Sequence, residues 1–295
     1  MLILLSLLNY LLAISFKLSD SSLIVNSDYS VITRQASAPE LKLAASRGAG
    51  LAPGDHYFFF KQKADEVQPI ASITKLMTAL VFLENNPGWD KVYQIERRDL
   101  VEGGKWNLFL GEKVLVRDLF YMSLVASDNG ATQALVHASG ISNSDFVSKM
   151  NERAAKLGLR KTSFADPIGL SEKNISTAEE VAYLAQAAFL KKEIAEATTR
   201  RLYKFTTLDG ALKEVESTDY LLYSAKPEDW EVIGGKTGYT DQAGYCFVGY
   251  LRAKDGREVI SVVLNSPGKN ERFLDSKKII NWVFDNYFWK KQAIN

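Results

Sequence analysis

The chain has 295 residues, of which 46% are hydrophobic, so it can bury a large core as one domain or as two joined domains. Lysine and arginine number 36 and aspartate and glutamate 35, a balance that favours neither nucleic-acid binding nor an acidic solvating tail. Cys246 is the single cysteine, which excludes an intrachain disulfide and disfavours a thiolate metal site. The two histidines, His56 and His137, stand in no metal-ligand spacing and beside no nucleophile motif. We interpret both as surface or packing residues, and a Ser-His-Asp hydrolase is therefore disfavoured.

The first sixteen residues are almost all apolar, MLILLSLLNYLLAISF. At about 1.5 Å per residue, a helix of this length reaches roughly 24 Å, which is short for a bilayer span. The segment resembles the apolar region of a secretory signal, although no Lys or Arg precedes it and the nearest A-x-A pattern, at 36–38, lies far downstream. We expect residues 1–20 to be a signal peptide or an N-terminal anchor, and the alternative is a buried core helix.

We expect residues 21–50 to be a linker with one early strand, residues 51–289 to be the main domain and residues 290–295 to be a tail. Strands near both ends of the main domain, with helices between them, predict an α+β fold in which an antiparallel sheet packs against terminal helices beside a helical subdomain. The predicted elements are, in chain order, a strand at 56–61, a helix at 73–85 that Pro87-Gly88 stops, helices at 114–137 and 144–157, a helix that a capping box at 176–179 opens and that runs to 190, strands at 244–253 and 258–265 around a tight turn, and a last helix at 272–289.

The first motif with chemical content is Ser72-Ile73-Thr74-Lys75. Ser72 and Lys75 are three residues apart at the start of an apolar helix, so they share one face of it. A serine hydroxyl needs an adjacent base, and a lysine can be that base when burial or a nearby positive charge lowers its pKa. Taken alone, the motif is equally consistent with a helix cap and a solvated lysine. A second copy, at Ser266–Lys269, lies in a Pro-Gly turn with no helix to align the pair, and we interpret it as structural.

The second motif is Ser127-Asp128-Asn129, which follows the apolar run FYMSLVA. Ser127 is suited to relay a proton to a leaving group, and Asn129 is suited to hydrogen-bond a substrate amide. Taken alone, the motif is more typical of a polar helix end.

The third motif is Lys236-Thr237-Gly238, which precedes the strand that contains Cys246. Lys236 and Thr237 offer a positive charge and a hydroxyl to a substrate carboxylate, and the charge would also lower the pKa of Lys75. Gly238 lets a substrate backbone approach closely. A solvated lysine on an edge strand is the alternative for this motif alone. The three motifs in this order predict one serine acyl-transfer site that works without histidine.

With these motifs the chain resembles the serine D-alanyl-D-alanine carboxypeptidases, which are the low-molecular-weight penicillin-binding proteins. The resemblance runs from about Gln68 to Tyr287, and it implies the β-lactamase/transpeptidase-like fold and a D,D-peptidase domain over 51–289. The stretches that carry it are PIASITKLMTAL at 69–80, SLVASDNGA at 123–131, MNERAAKLGLRKTSFADPIGL at 150–170, STAEEVA at 176–182 and GGKTGYTDQAGYC at 234–246.

The resemblance also implies roles for individual residues. Ser72 would be the nucleophile, Lys75 its base and Ser127 the third catalytic residue. The substrate would be bound by Asn129, Lys236, Thr237 and Gly238. The backbone N–H groups of Ser72 and Tyr239 would form the oxyanion hole. The implied reaction removes the terminal D-Ala of a peptidoglycan stem peptide through an acyl-enzyme, and β-lactams would acylate the same serine. It implies no metal and no cofactor, and an extracytoplasmic location. Any membrane association would have to come from the N-terminus.

The sequence departs from this family in three places. Residues 17–55 do not show the usual early hairpin, and Ser217-Thr218-Asp219 stands where members usually have an Asn-rich turn. The sequence ends eight residues after Tyr287, so we expect neither the extra β domain nor the C-terminal membrane anchor of many members.

Three alternative functions remain at this point. A D,D-endopeptidase that cuts cross-links would share every motif above. A class A-like β-lactamase needs a carboxylate that activates water, but the loop Asp166–Leu170 lacks the E-x-x-L-N pattern and Glu172 is poorly placed. A protein that binds β-lactams or peptidoglycan without turnover would not need both Lys75 and Lys236.

Overall fold

The computed structural model describes residues 24–25, 31–54, 56–101, 103, 105–223 and 230–289. The predicted signal or anchor, residues 1–20, and the predicted tail, residues 290–295, lie outside these ranges. Within them, the structure contains no helix that is both long enough and apolar enough to cross a bilayer.

The described chain alternates between strands and helices. The strands are β1 Ile24–Val25, β2 Val31–Arg34, β3 Arg47–Leu51, β4 Phe58–Gln62, β5 Gln68–Pro69, β6 Val92–Gln94, β7 Lys113–Leu115, β8 Ile175–Ser176, β9 Leu202–Thr206, β10 Leu212–Glu216, β11 Trp230–Thr240, β12 Gly244–Ala253, β13 Glu258–Ser266 and β14 Tyr287–Phe288. The helices are α1 Thr74–Glu84, α2 Val116–Val125, α3 Asn129–Ala138, α4 Asn143–Lys156, α5 Ala178–Phe189, α6 Lys192–Thr198 and α7 Glu271–Asn286, with 3₁₀ turns at Ala71–Ile73, Arg97–Asp99 and Tyr220–Tyr223.

The largest sheet has five strands in the order β11-β12-β13-β3-β4, and every neighbouring pair is antiparallel. Alternate side chains of its strands point to opposite faces and enter two separate cores. Phe247 and Val263 belong to the core that α7 covers, whereas Val248 and Val262 belong to the core shared with α1 to α6. The predicted α+β architecture, an antiparallel sheet with a helical subdomain, is therefore confirmed.

Several predicted elements need correction. The helix expected at 114–137 is two helices, α2 and α3, because Ser127 between them has a φ of 58° and the Asp128 carboxylate caps α3. Helix α5 begins after an N-cap at Thr177, and the last helix ends at Asn286 because the chain continues as β14. The segment 21–50, expected to be a linker with one strand, contains β1, β2 and most of β3, and β3 lies inside the main sheet.

Candidate active site

The Ser72 hydroxyl lies at the junction of a 3₁₀ turn and helix α1. The turn passes into the helix without a break, so the three-residue spacing brings Lys75 Nζ to 3.0 Å from Ser72 Oγ. Lys75 is 0% exposed, whereas Ser72 is partly exposed. Ala71, immediately before Ser72, has a φ of 48°, which is an unfavourable left-handed conformation for alanine. The turn is thus held in a conformation that presents the hydroxyl.

Two further hydrogen bonds fix the Lys75 amine. Its Nζ donates to Asn129 Oδ1 at 2.8 Å and to the Ile168 carbonyl at 2.7 Å. Burial lowers the pKa of Lys75 to about 7, although the carboxylates of Asp128 and Asp166 act in the opposite direction. The amine can therefore lose its proton near neutral pH. Burial is the largest cause of this shift, and the repulsion between Lys75 and Lys236 appears in the lowered pKa of Lys236.

The loop that supplies the Ile168 carbonyl is organised by Asp166. Asp166 Oδ1 accepts from the N–H groups of Ile168 at 2.7 Å and Gly169 at 2.6 Å, and Oδ2 accepts from the Ser171 N–H at 2.6 Å. Gly169 has a φ of 91°, and a Cβ there would lie 2.2 Å from the Ala71 carbonyl oxygen. The loop therefore packs directly behind the serine turn, and both oxygens of Asp166 serve the loop's own backbone.

The second motif occupies the break between α2 and α3. Asp128 Oδ1 accepts from the Ala131 N–H at 2.7 Å and Oδ2 accepts from Asn107 Nδ2 at 2.6 Å, so this middle residue is structural. Asn129 begins α3, and besides accepting from Lys75 it donates from Nδ2 to the Gly103 carbonyl at 2.5 Å. The left-handed conformation of Ser127 turns its side chain toward the sheet.

Lys236 joins the sheet to this break. Its Nζ donates to Ser127 Oγ at 2.7 Å and to the Thr237 carbonyl at 3.0 Å, and the side chain is 1% exposed. Burial holds the pKa of Lys236 well below its ordinary value, and the charges of Lys75 and Arg272 lower it further, whereas Asp219 raises it. Serine and lysine thus meet twice in the site, as Ser72 with Lys75 and as Ser127 with Lys236.

Strand β11 then passes beside the serine turn. A Cβ on Gly238 would lie 2.8 Å from the Ile70 carbonyl oxygen and 3.2 Å from the Ser72 nitrogen, so a larger residue would push the strand away. Tyr239 follows at the end of the strand, with its exposed ring stacked on Tyr245 at 4.3 Å. The predicted oxyanion residues, Ser72 and Tyr239, therefore lie on the two segments that meet at Gly238.

These residues surround a cleft of about 790 Å³. Ser72, Ser127, Asn129, Thr237, Gly238 and Tyr239 line it, together with Lys105, Asn107, Ala126, Asp128, residues 214–218, Tyr220, Tyr245, Lys269 and Arg272. Lys75 and Lys236 lie beneath its floor. The structure thus brings all the predicted site residues together around one opening.

Three residues near the sheet side were not predicted from the sequence. Thr218 Oγ1 lies 2.6 Å from Thr237 Oγ1, and Arg272 Nη1 donates to the Gly238 carbonyl at 3.2 Å. Asp219 is 2% exposed beside them. The unusual Ser217-Thr218-Asp219 sequence was the only signal for two of them, and Arg272 had none beyond its place at the start of a predicted helix.

Neither histidine nor the second S-x-x-K copy takes part in the site. His137 Nδ1 hydrogen-bonds to Asp99 at 2.5 Å, and the His56 ring packs 5.4 Å from the ring of Tyr183. Ser266 Oγ is buried with no hydrogen-bond partner among the described residues, so Lys269 does not activate it.

Comparison with known proteins agrees with this geometry. Residues 58–268 match the Peptidase S11 family, described as D-alanyl-D-alanine carboxypeptidase. The chain is similar to a D-alanyl-D-alanine endopeptidase of Haemophilus influenzae, with 36% identity over 223 residues that cover 72% of this chain and 74% of the relative. It is similar to a D-alanyl-D-alanine carboxypeptidase of Streptomyces sp. strain K15, with 30% identity over 260 residues that cover 82% of this chain and 88% of the relative.

Among solved structures, the ampicillin-bound form of penicillin-binding protein D2 from Listeria monocytogenes is 34% identical and superposes with a TM-score of 0.72, covering 83% of this chain and 99% of that one. The family match spans well over half of the sequence, and the structural match covers most of both chains. This chain therefore belongs to the Peptidase S11 family of D-alanyl-D-alanine carboxypeptidases and is a serine hydrolase with the fold of the penicillin-binding D,D-peptidases.

Proposed function

We propose that this protein removes the terminal D-Ala from peptidoglycan stem peptides through an acyl-enzyme on Ser72. The observation that carries the proposal is the hydrogen bonding of Lys75. A neutral amine has two N–H groups and one lone pair. Donation to Asn129 Oδ1 and to the Ile168 carbonyl uses both N–H groups, so the lone pair is directed at Ser72 Oγ, 3.0 Å away.

The first half-reaction follows from this arrangement. Lys75 takes the proton of Ser72 as the serine oxygen bonds to the carbonyl carbon of the penultimate D-Ala. The N–H groups of Ser72 and Tyr239 stabilise the oxyanion. As the C–N bond breaks, Ser127, which is held by Lys236 at 2.7 Å, relays to the leaving nitrogen the proton that Lys75 took from Ser72, and D-Ala departs as a free amino acid. Water then hydrolyses the Ser72 ester and restores the enzyme.

The sheet side of the cleft suits a free carboxylate. Thr237 and Thr218 present hydroxyls there, and Lys236 and Arg272 contribute positive charge at its base. A charge-assisted hydrogen bond to a carboxylate is worth about 1.5–3 kcal/mol. A substrate that ends in D-Ala would place its C-terminal carboxylate at this position.

Endopeptidase action on cross-linked stems is the second candidate. The H. influenzae relative that shares 36% identity with this chain is named as such an enzyme. The chemistry at Ser72 would be the same, and only the leaving amine would differ. The two activities therefore need a test that identifies the products.

Mass spectrometry of products from two substrates separates these activities. A carboxypeptidase releases D-Ala from a stem pentapeptide and leaves a cross-linked dimer intact, whereas an endopeptidase converts the dimer to monomers. A C-terminally amidated pentapeptide is the control for the carboxylate. Rapid cleavage of the dimer, together with equal cleavage of the amide and the free acid, would replace the exopeptidase assignment.

A class A-like β-lactamase is disfavoured by the Asp166 loop. Asp166 uses both oxygens to bind backbone N–H groups, and Glu172 is exposed, so neither is placed to activate water over Ser72. We expect the penicilloyl-enzyme to persist long enough for isolation by gel filtration. Rapid multiple turnover of penicillin that Glu172→Gln abolishes would establish a lactamase instead.

The substrate class also implies an extracytoplasmic location, and we propose the apolar N-terminal segment as the point of any membrane association. The apolar start of the sequence supports export. A phosphatase fused to residues 1–50 should be active outside the cytoplasm. A stable but inactive fusion would contradict export through this segment.

A further inference from the structure

Two threonine hydroxyls face each other on the sheet side of the cleft. Thr218 Oγ1 lies 2.6 Å from Thr237 Oγ1, within the usual range for a hydrogen bond between hydroxyl groups. Thr237 is buried and Thr218 is partly exposed, and both residues line the cleft. Among the described residues, neither hydroxyl has another hydrogen-bond partner. The pair is therefore placed to hydrogen-bond a molecule that occupies the cleft.

The Thr237 hydroxyl depends on Thr218 and not on the neighbouring lysine. Successive side chains of a strand point to opposite faces, so the Thr237 side chain points away from the side chain of Lys236. Lys236 Nζ donates to Ser127 Oγ and to the Thr237 backbone carbonyl. In the part of the chain that the structure describes, Thr218 alone hydrogen-bonds to the Thr237 hydroxyl.

Thr218 is held in place by its backbone. Its N–H donates to the Val125 carbonyl at 3.2 Å, at the end of helix α2, and the Ser217 N–H donates to the Arg201 carbonyl at 2.8 Å. Threonine is also branched at Cβ, which restricts the rotamers of its hydroxyl. The Thr218 hydroxyl is therefore fixed beside Thr237 before a substrate binds.

A count of hydrogens shows what this pair offers to a substrate. Each hydroxyl has one hydrogen to donate and two lone pairs that accept. The contact between the two oxygens uses one hydrogen, so one remains for the cleft, whichever threonine donates within the pair. A carboxylate has only acceptor atoms and forms the stronger, charge-assisted hydrogen bond, whereas a carboxamide is neutral and has two N–H donors of its own. The pair is therefore better suited to a carboxylate than to an amide.

We propose that Thr218 is a positioning residue that determines specificity. Its hydrogen bond to Thr237 directs one hydroxyl hydrogen at a carboxylate beside the scissile peptide nitrogen. The proposal rests on the function proposed above, and it names the feature that the enzyme selects, a leaving group that carries a carboxylate. Without the Thr218 hydroxyl, the Thr237 hydroxyl would rotate freely and lose this orientation.

The test compares a stem pentapeptide that ends in D-Ala-D-Ala with its C-terminal amide, by mass spectrometry of the released D-Ala or D-alaninamide. Thr218→Val keeps the branched shape and removes the hydroxyl. It should lower kcat/KM for the acid about ten-fold and kcat/KM for the amide less than about two-fold, since only the acid makes the charge-assisted hydrogen bond. Thr218→Ser keeps the hydroxyl and should retain the wild-type acid-to-amide ratio within about three-fold.

The matched control is Thr162→Val, the same change in a second hydroxyl pair. Thr162 Oγ1 lies 2.7 Å from Ser176 Oγ, and neither residue lines the cleft. This variant should keep the wild-type acid-to-amide ratio.

Three results would overturn the proposal alone. They are an unchanged ratio in Thr218→Val, equal losses for acid and amide in that variant, and a loss of selectivity in Thr218→Ser as large as in Thr218→Val. The second result would show that Thr218 only supports the fold, and the third that its methyl group and not its hydroxyl is needed. A wild-type enzyme that cleaves neither peptide would contradict the proposed function and this proposal with it.

Discussion

The two buried lysines of the cleft differ in the hydrogen-bond partners and the opposite charges that surround each ammonium group. Lys75, on the helical side, has three hydrogen-bond partners from three different segments, and two carboxylates support its charge. Lys236, on the sheet side, has only neutral partners, and Asp219 Oδ2 and Arg272 Nε near it are buried without hydrogen-bond partners in the described chain.

This difference suits Lys75 to act as a base and Lys236 to bind a substrate anion. A base must be held at one position before substrate arrives, and the closed network around Lys75 does this. A site for a substrate anion must leave positive charge uncompensated until the anion binds. On the proposed function, the helical side is complete in the free enzyme, whereas the sheet side would be completed by the substrate carboxylate.

Removing the nucleophile gives the largest expected effect. Ser72→Ala should abolish the penicillin adduct and lower D-Ala release by about 10⁴-fold or more, because it removes the hydroxyl that lies 3.0 Å from the Lys75 amine. Peptide mapping of the labelled wild type should locate the adduct on Ser72. Ser266→Ala is the control from the second S-x-x-K copy and should label normally. Label on Ser266 would contradict the assignment of Ser72 as the nucleophile.

Loss of the base on the helical side comes next. Lys75→Met should lower the acylation rate by about 10²–10⁴-fold, the range for a lost general base. In wild type the neutral amine is the active form, so the acylation rate should increase with pH through about 7, the pKa of Lys75, and then level off. A stopped-flow pH series checks this, and an acidic limb near pH 10 would mean that burial does not activate Lys75.

Loss of the lysine on the sheet side should have a smaller effect. Lys236→Ala should lower kcat/KM for a D-Ala-D-Ala peptide by about ten- to a hundred-fold, the value of one charge-assisted hydrogen bond. The acidic limb should stay near pH 7, because burial sets the pKa of Lys75. Lys269→Ala is the control, since that ammonium lines the cleft but lies over the Tyr220 ring at 4.9 Å. Movement of the limb to higher pH would show that Lys236 helps to lower the pKa of Lys75.

The smallest expected effect comes from a change at Gly169, in the loop that packs behind the serine turn. Gly169→Ala should destabilise the protein by about 1–3 kcal/mol and slow acylation about ten-fold, because the new methyl group meets the backbone of Ala71 and Ser72. Gly140→Ala is the matched control, since Gly140 also has a positive φ but its Cβ would meet nothing within 4 Å. Thermal melting and acylation rates measure both effects. Equal acylation by the two variants would mean that the loop does not hold the turn.

The sequence alone determined the parts of this protein that depend on local spacing. The pairing of Ser72 with Lys75 follows from three-residue spacing at a helix start, and the paired strands β12 and β13 follow from alternation around a tight turn. Family resemblance added the placement of Ser127 and Lys236, which are 109 residues apart in the chain. The break between α2 and α3 was not predicted, because both sides have helical patterns and the left-handed residue is a serine.

Only the tertiary structure decided the electrostatics of the site. Whether Lys75 is a base or a solvated cation depends on burial and on the Ile168 carbonyl, neither of which its neighbours in sequence specify. The position of Asp219 behind Gly235, and that of Arg272 beside Gly238, depend on packing between segments far apart in the chain. A pKa responds to the surrounding dielectric and charges in three dimensions, so residue types and spacings identify the titrating groups but not the state in which each is held.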